Sequence, residues 1–123
     1  MNPIKISESE WQVMSVVWEK APVSASEIVE ALARQKGWHS RTTRTLLDRL
    51  VKKKALKIKS EGKRYQYEPQ ISMKAAVRQE SQSFLQRVFG GEPVPLLLHL
   101  VGEAKLSKQD IKKLKEMLTE KEK

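Results

Sequence analysis

The 123-residue sequence predicts a mainly α-helical chain with one small β-hairpin, arranged as three helices and the hairpin followed by a C-terminal helical region. Three observations predict it. One helix-start pattern recurs along the chain, one segment alternates with period two on both sides of a turn, and a later helical stretch stops at Gly90-Gly91. The length suits one domain, or one small domain with an appendage.

The recurring start is an apolar residue, a serine, two residues, an acid and another apolar residue. It reads Ile6-Ser7-x-x-Glu10-Trp11, Val23-Ser24-x-x-Glu27-Ile28 and Leu106-Ser107-x-x-Asp110-Ile111. Each serine can accept from the exposed N–H groups, each acid can answer the serine and the helix dipole, and the apolar pair can staple the entry. Helices are expected over 7–20, 24–35 and 107–121. Trp11, Met14 and Trp18 share a face of the first, Ile28, Val29 and Leu32 of the second, and Ile111, Leu114 and Leu118 of the last. The tryptophans read as core.

A further helix is expected over 40–54, capped by Ser40 and striped by Leu46, Leu47, Leu50 and Val51. After it, residues 55–59 alternate, 60–63 have turn chemistry, 65–67 alternate again and Pro69 closes the unit. That is a hairpin with lysines on its outer face. From Ser72 the chain turns helical through Phe84, Leu85, Val88 and Phe89, with a polar middle that suits an arm. Pro93 and Pro95 fit the first turn of a short helix ending near Gly102. The domains read as 1–70 and 71–123.

Composition narrows the function classes. At 39% hydrophobic and 32% charged residues the chain is globular in type. The absence of cysteine removes disulfides, thiolate metal sites and thiol nucleophiles together. No apolar segment opens the sequence, and the longest apolar stretch, 94–101, is too short to span a bilayer, so a soluble cytoplasmic protein without a signal peptide or membrane partner is expected. His39 and His99 lie far apart, and there is no nucleophile elbow, Walker loop, dinucleotide fingerprint or metal-ligand spacing. The reading is therefore a chain with no cofactor, no metal and no catalytic residues.

The net charge of +9 invites a polyanionic partner. Residues 34–64 hold twelve Lys and Arg against two acids, Asp48 and Glu61, so that window accounts for all of the excess and the remainder is close to neutral. The helix inside it carries Arg41 and Arg44 in its first turn, where the other helices place acids. A cation there opposes the dipole by about 0.3–1 kcal/mol, and a phosphate or base edge would turn that into attraction. With Leu46, Leu47 and Leu50 facing inward and Thr43 on their flank, Arg41, Thr42, Arg44 and Thr45 face out. Arginine can read guanine, and threonine can bond a base or meet a thymine methyl. Taken alone, this face is equally readable as a solvated basic surface.

The hairpin shifts that balance. A helix-turn-helix whose second helix starts basic, followed at once by a ribbon with Lys63 and Arg64 at its tip, is a winged helix-turn-helix. The candidate DNA-binding residues are Ser40, Arg41, Thr42, Arg44, Thr45, Arg49, Lys63 and Arg64, with double-stranded DNA as partner. A nonspecific nucleic-acid-binding or nucleoid-associated protein is the alternative, and a purely helical adaptor would leave the basic window unexplained. Phe84, Leu85, Val88, Phe89, Leu97, Leu100, Ile111, Leu114 and Leu118, with Leu96 and Leu98, exceed what a short C-terminal piece can bury alone, so a helical dimerisation region and a homodimer are expected.

These residues resemble the BlaI/MecI/CopY, or penicillinase-repressor, family of bacterial winged-helix transcriptional repressors. The similarity runs through Ile6-Ser7-x-x-Glu10-Trp11-x-Val13-Met14-x-Val16-Val17-Trp18, through Trp38-His39-Ser40-Arg41-Thr42-Thr43-Arg44-Thr45-Leu46-Leu47-Asp48-Arg49-Leu50, and through Glu61-Gly62-Lys63-Arg64-Tyr65-Gln66-Tyr67-Glu68-Pro69. It continues into Ser83-Phe84-Leu85, Phe89-Gly90-Gly91 and Leu106-Ser107. The resemblance implies a homodimer on a palindromic operator, repressing resistance or stress genes and often its own operon. It also implies release by a sensor-linked protease, with His99-Leu100 matching the bond cut in antibiotic-sensing members. Three departures stand out: Lys54 where glycine is usual, Ser40 where proline is frequent, and no C-terminal cysteines for copper.

Overall fold

The computed structural model describes residues 4–62 and 64–123. Residues 1–3 of the N-terminal segment and the wing-tip candidate Lys63 lie outside the described residues. The element order is α1 (Glu8–Lys20), β1 (Val23–Ser24), α2 (Ala25–Lys36), α3 (Ser40–Lys52), β2 (Leu56–Glu61), β3 (Arg64–Pro69), α4 (Met73–Phe89), α5 (Pro93–Glu103) and α6 (Lys108–Glu122). The chain forms two compact units, Met1–Gln79 and Glu80–Lys123.

All three serine starts form capping boxes. At α1, Ser7 N–H donates to Glu10 Oε1 at 2.8 Å and Glu10 N–H to Ser7 Oγ at 3.2 Å. Ser24 with Glu27, and Ser107 with Asp110, repeat the exchange. The fourth start differs from expectation. His39, not Ser40, caps α3: its Nδ1 accepts from the Arg41 N–H at 3.1 Å, and Ser40 becomes the first helical residue. An imidazole nitrogen replaces the usual hydroxyl, since its lone pair reaches the same exposed donors.

The core of the first unit gathers Val13, Met14 and Val17 of α1, Ile28, Ala31 and Leu32 of α2, and Leu46, Leu47 and Leu50 of α3 against Val23, Leu56 and Tyr67 of the sheet. The sheet is three-stranded and antiparallel in the order β1-β3-β2, whereas the sequence shows only the hairpin. Strand β1 is two residues long, with Val23 opposite Tyr67 and Ser24 opposite Gln66, so no alternation could reveal it. The tryptophans also sit differently from expectation. Trp11, Trp18 and Trp38 are half-buried at the rim of the core. Trp11 and Trp18 meet edge-on with centroids 5.3 Å apart, and Trp18 Nε1–H donates to the Ile71 carbonyl at 3.0 Å. An indole kept at the rim can bury its ring and still satisfy its N–H.

α3 stops at Lys52, two residues before the predicted end, in a Schellman motif. Ala55 N–H donates to the Leu50 carbonyl at 2.9 Å and Lys54 N–H to that of Val51 at 3.0 Å, with Lys54 left-handed at φ 67°. The turn must drop Ala55 and Leu56 into the core, and lysine takes the strained position that favours glycine. Lys54→Gly is expected to stabilise the fold by about 0.5–1 kcal/mol, the strain relieved less the entropy of the freer unfolded chain, read as a higher urea midpoint.

Beside that turn, Lys53 reaches back across the chain. Its Nζ donates to Glu10 Oε1 at 2.5 Å and to the Lys5 carbonyl at 2.8 Å. Glu10 is 1% exposed. Burial pushes its carboxyl pKa up, but the hydrogen bonds from Lys53 and Ser7 together with the Lys53 charge outweigh that and hold it below the ordinary value of 4.5. A folded value below the unfolded one means that the stability from this carboxyl is complete above pH 4.5 and is lost as pH falls through the folded value. Glu10→Gln should therefore cost about 1–3 kcal/mol at neutral pH and flatten the fall in unfolding free energy on acidification, measured by urea titrations from pH 7 down.

Candidate nucleic-acid interface

α2 and α3 form a helix-turn-helix, and β2 packs against α3 so that the hairpin stands beside it as a wing. α3 divides cleanly between two environments. Thr43, Leu46, Leu47 and Leu50 are buried, while Ser40, Arg41, Thr42, Arg44, Thr45 and Arg49 are exposed. Thr43, expected on the flank, is fully enclosed, and its Oγ1 has no partner among the described residues. The first turn holds no acid, so Arg41 stands at a positive helix end, with Arg44 just beyond that turn. Such a surface attracts anions with both its dipole and its side chains.

Arg64 is exposed at the start of β3. The register pairs Glu61 with Arg64, Ser60 with Tyr65, Lys59 with Gln66, Ile58 with Tyr67 and Lys57 with Glu68. Lys57 and Lys59 therefore share the outer face with Glu68, and both reach it, at 3.6 and 3.7 Å. One carboxylate shared by two lysines neutralises part of their charge and leaves the strand pair net positive. Tyr67 lies on the inner face against the helices. Burial raises its phenol pKa, Asp48 adds to the rise and Arg44 opposes it, so the ring sits within the field of α3.

The second unit gathers its apolar residues without enclosing them. α5 and α6 contain no buried residue. Phe84 and Phe89 meet with centroids 6.1 Å apart, and Arg87 stacks over Phe84 at 5.9 Å. Phe84 and Phe89, with Val88 and Leu100, line an open cleft of 630 Å³ that also holds His99. Leu98 is 68% exposed, and Leu97, Ile111, Leu114 and Leu118 are exposed as well. Val94, Val101 and Met117 extend this surface beyond the residues the sequence singled out. The apolar run of α5 is the signal that marks Val94 and Val101, and Met117 follows Leu114 by one turn of α6. Among the described residues no three His, Asp or Glu side chains gather as a metal group, and no helix is long and apolar enough to cross a membrane.

A family model for the penicillinase repressor matches residues 6–120. The methicillin resistance regulatory protein MecI of Staphylococcus aureus strain N315 is 34% identical over 117 residues, covering 95% of either chain. The penicillinase repressor of Bacillus licheniformis is 32% identical over 116 residues, 94% of this chain and 91% of its own. Among solved structures, the DNA-binding domain of the repressor BlaI is similar at a TM-score of 0.53 and 35% identity, over 59% of this chain and 90% of that one. Monomeric Bacillus licheniformis BlaI in complex with the blaP half-operator gives a TM-score of 0.55 at 34% identity, over 61% and 93%. The first unit is thus a winged helix-turn-helix.

The enclosed threonine supplies a control inside α3. Thr43→Val replaces an unpartnered buried hydroxyl with a methyl of the same size. It should raise stability by about 1 kcal/mol in thermal unfolding and leave duplex-DNA affinity unchanged, because that side chain cannot reach a groove.

Proposed function

Because the chain belongs to the penicillinase repressor family, we propose that it is a DNA-binding transcriptional repressor that holds a palindromic operator as a homodimer. The observation that carries this reading is the exposed row Arg41, Thr42, Arg44 and Thr45 at the acid-free start of α3, beside a projecting wing. The N-terminal half of α3 enters the major groove. Arg41 and Arg44 can each grip a guanine bidentately, Thr42 and Thr45 can bond a base or pack on a thymine methyl, and Ser40 and Arg49 are in reach of phosphates. Lys63 and Arg64 carry the wing to the backbone or the minor groove. A relative of similar fold bound to a half-operator supports this docking.

The homodimer is favoured by the unburied apolar surface of α4, α5 and α6. One copy leaves those side chains in water at about 25 cal/mol per Å² of apolar surface, and a second copy of the same surface can remove them together. Pairing also doubles the operator, because a single winged helix contacts too few base pairs for specificity. Such a repressor acts in the cytoplasm, on genes of antibiotic resistance.

Release by a sensor-linked protease would require a local opening of the chain. The bond His99-Leu100 lies inside α5, with the Leu100 carbonyl accepting from the Ala104 N–H at 2.9 Å. A protease needs extended backbone, so α5 must open before it is cut. Cutting there would part α6 from the apolar residues of α4.

Selection from a random-duplex library, with sedimentation of the selected complex, tests the proposal. An inverted repeat bound by two copies is expected. Arg44→Ala should lose about 1–3 kcal/mol on that site and relax specificity at one position in each half. A protein that binds random duplex, single strands and the selected site equally would instead be a nonspecific or nucleoid-associated binder.

A further inference from the structure

The wing carries an exposed aromatic that neither the core nor the ionic outer face uses. Tyr65 is 66% exposed and Ile58 is 46% exposed. The register sets them on one face of the hairpin as diagonal neighbours, because Ser60 opposes Tyr65 and Ile58 opposes Tyr67. Tyr67, on the same face, is buried against the helices. Two residues nearer the tip, that face has run past the core, and among the described residues Tyr65 is left largely uncovered. The outer face has its own chemistry, since Lys57 and Lys59 both pair with Glu68.

We propose that Tyr65 is a DNA-contact residue, its ring packing on a deoxyribose and its hydroxyl donating to a phosphate oxygen beside the groove that α3 enters. The inference rests on the reading of the chain as a duplex-DNA binder and adds an uncharged contact to it. Several features point to that occupant. Tyr65 adjoins Arg64 in the strand, and its face of the ribbon continues inward to Tyr67, which lies in the field of Arg44 and Asp48 on α3. β2 packs on α3, so an exposed aromatic on this ribbon stands beside the helix that the proposal places in the groove. Tyrosine suits a phosphodiester edge, because its ring covers apolar sugar while its hydroxyl takes a hydrogen bond without adding charge.

That lack of charge makes the proposal testable. The wild-type protein, Tyr65→Ala, Tyr65→Phe, Tyr65→Thr, Arg64→Ala and Arg44→Ala are titrated against the selected duplex and a scrambled duplex over a range of salt. Tyr65→Ala should bind both duplexes about tenfold more weakly, and Tyr65→Phe about threefold, with the salt slope unchanged because no ion is released. Arg64→Ala should flatten that slope by about 0.9. Tyr65→Thr keeps the strand propensity, so a loss shared by Ala and Thr belongs to the missing ring rather than to a frayed hairpin. Tyr65→Ala within twofold of wild type, while Arg44→Ala stays impaired, overturns the contact and leaves the repressor reading standing. Loss of affinity that tracks a shift from dimer to monomer in sedimentation overturns it too, by making Tyr65 a contact between copies. A wild-type protein without preference for any duplex sinks both readings.

Discussion

Leu46, Leu47 and Leu50 seat α3 against α1, α2 and the sheet, and a helix that turns about 100° per residue must then present Arg41, Thr42, Arg44 and Thr45 to solvent. Magnitudes decide the outcome. Full burial of a leucine gains about 1.5–3 kcal/mol, while a cation at a helix start costs about 0.3–1 kcal/mol, so the apolar stripe dictates the pose and the adverse charges are carried along. The same seating ends the helix. Lys54 accepts a left-handed backbone so that Ala55 and Leu56 can follow into the core, and Lys53 is thereby brought to Glu10. The chain's first capping box and the end of its most basic helix share one carboxylate.

The wing shows how one short ribbon separates three chemistries. Alternation sends Lys57, Lys59 and Glu68 to one face, where the two lysines share one carboxylate. The opposite face begins as core at Leu56 and Tyr67 and emerges from it at Ile58 and Tyr65. The second unit obeys a different constraint. α5 is largely apolar, and neither α5 nor α6 contains a buried residue. Exposed apolar surface of that extent is the property on which the proposed homodimer rests.

What the residues decide locally was legible. Capping boxes act across three positions, so Ser7, Ser24 and Ser107 announce their helices, and strand alternation announces the hairpin. The outward row on α3 follows from helical period and the leucine stripe alone. The clustering of cations between 34 and 64 is likewise a property of order along the chain, independent of folding.

What depends on distant partners was not. Strand β1 exists because β3 offers it an edge, and two residues carry no period of their own. His39 is the cap because the chain stays extended at His39 and turns helical at Ser40, which leaves the His39 ring nitrogen to accept from the Arg41 N–H. The Glu10–Lys53 pair joins residues 43 positions apart, and Trp18 finds its acceptor 53 positions away at Ile71. Tyr65 reads as a strand residue in sequence, and only the point at which the ribbon leaves the core decides that its ring is bare. Sequence by itself determined the helices, the hairpin and the location of the charge, because those are set by neighbours within a turn or two. Tertiary structure decided which polar groups were buried with partners and which aromatic faced outward, because burial belongs to the packed assembly of elements and to no segment alone.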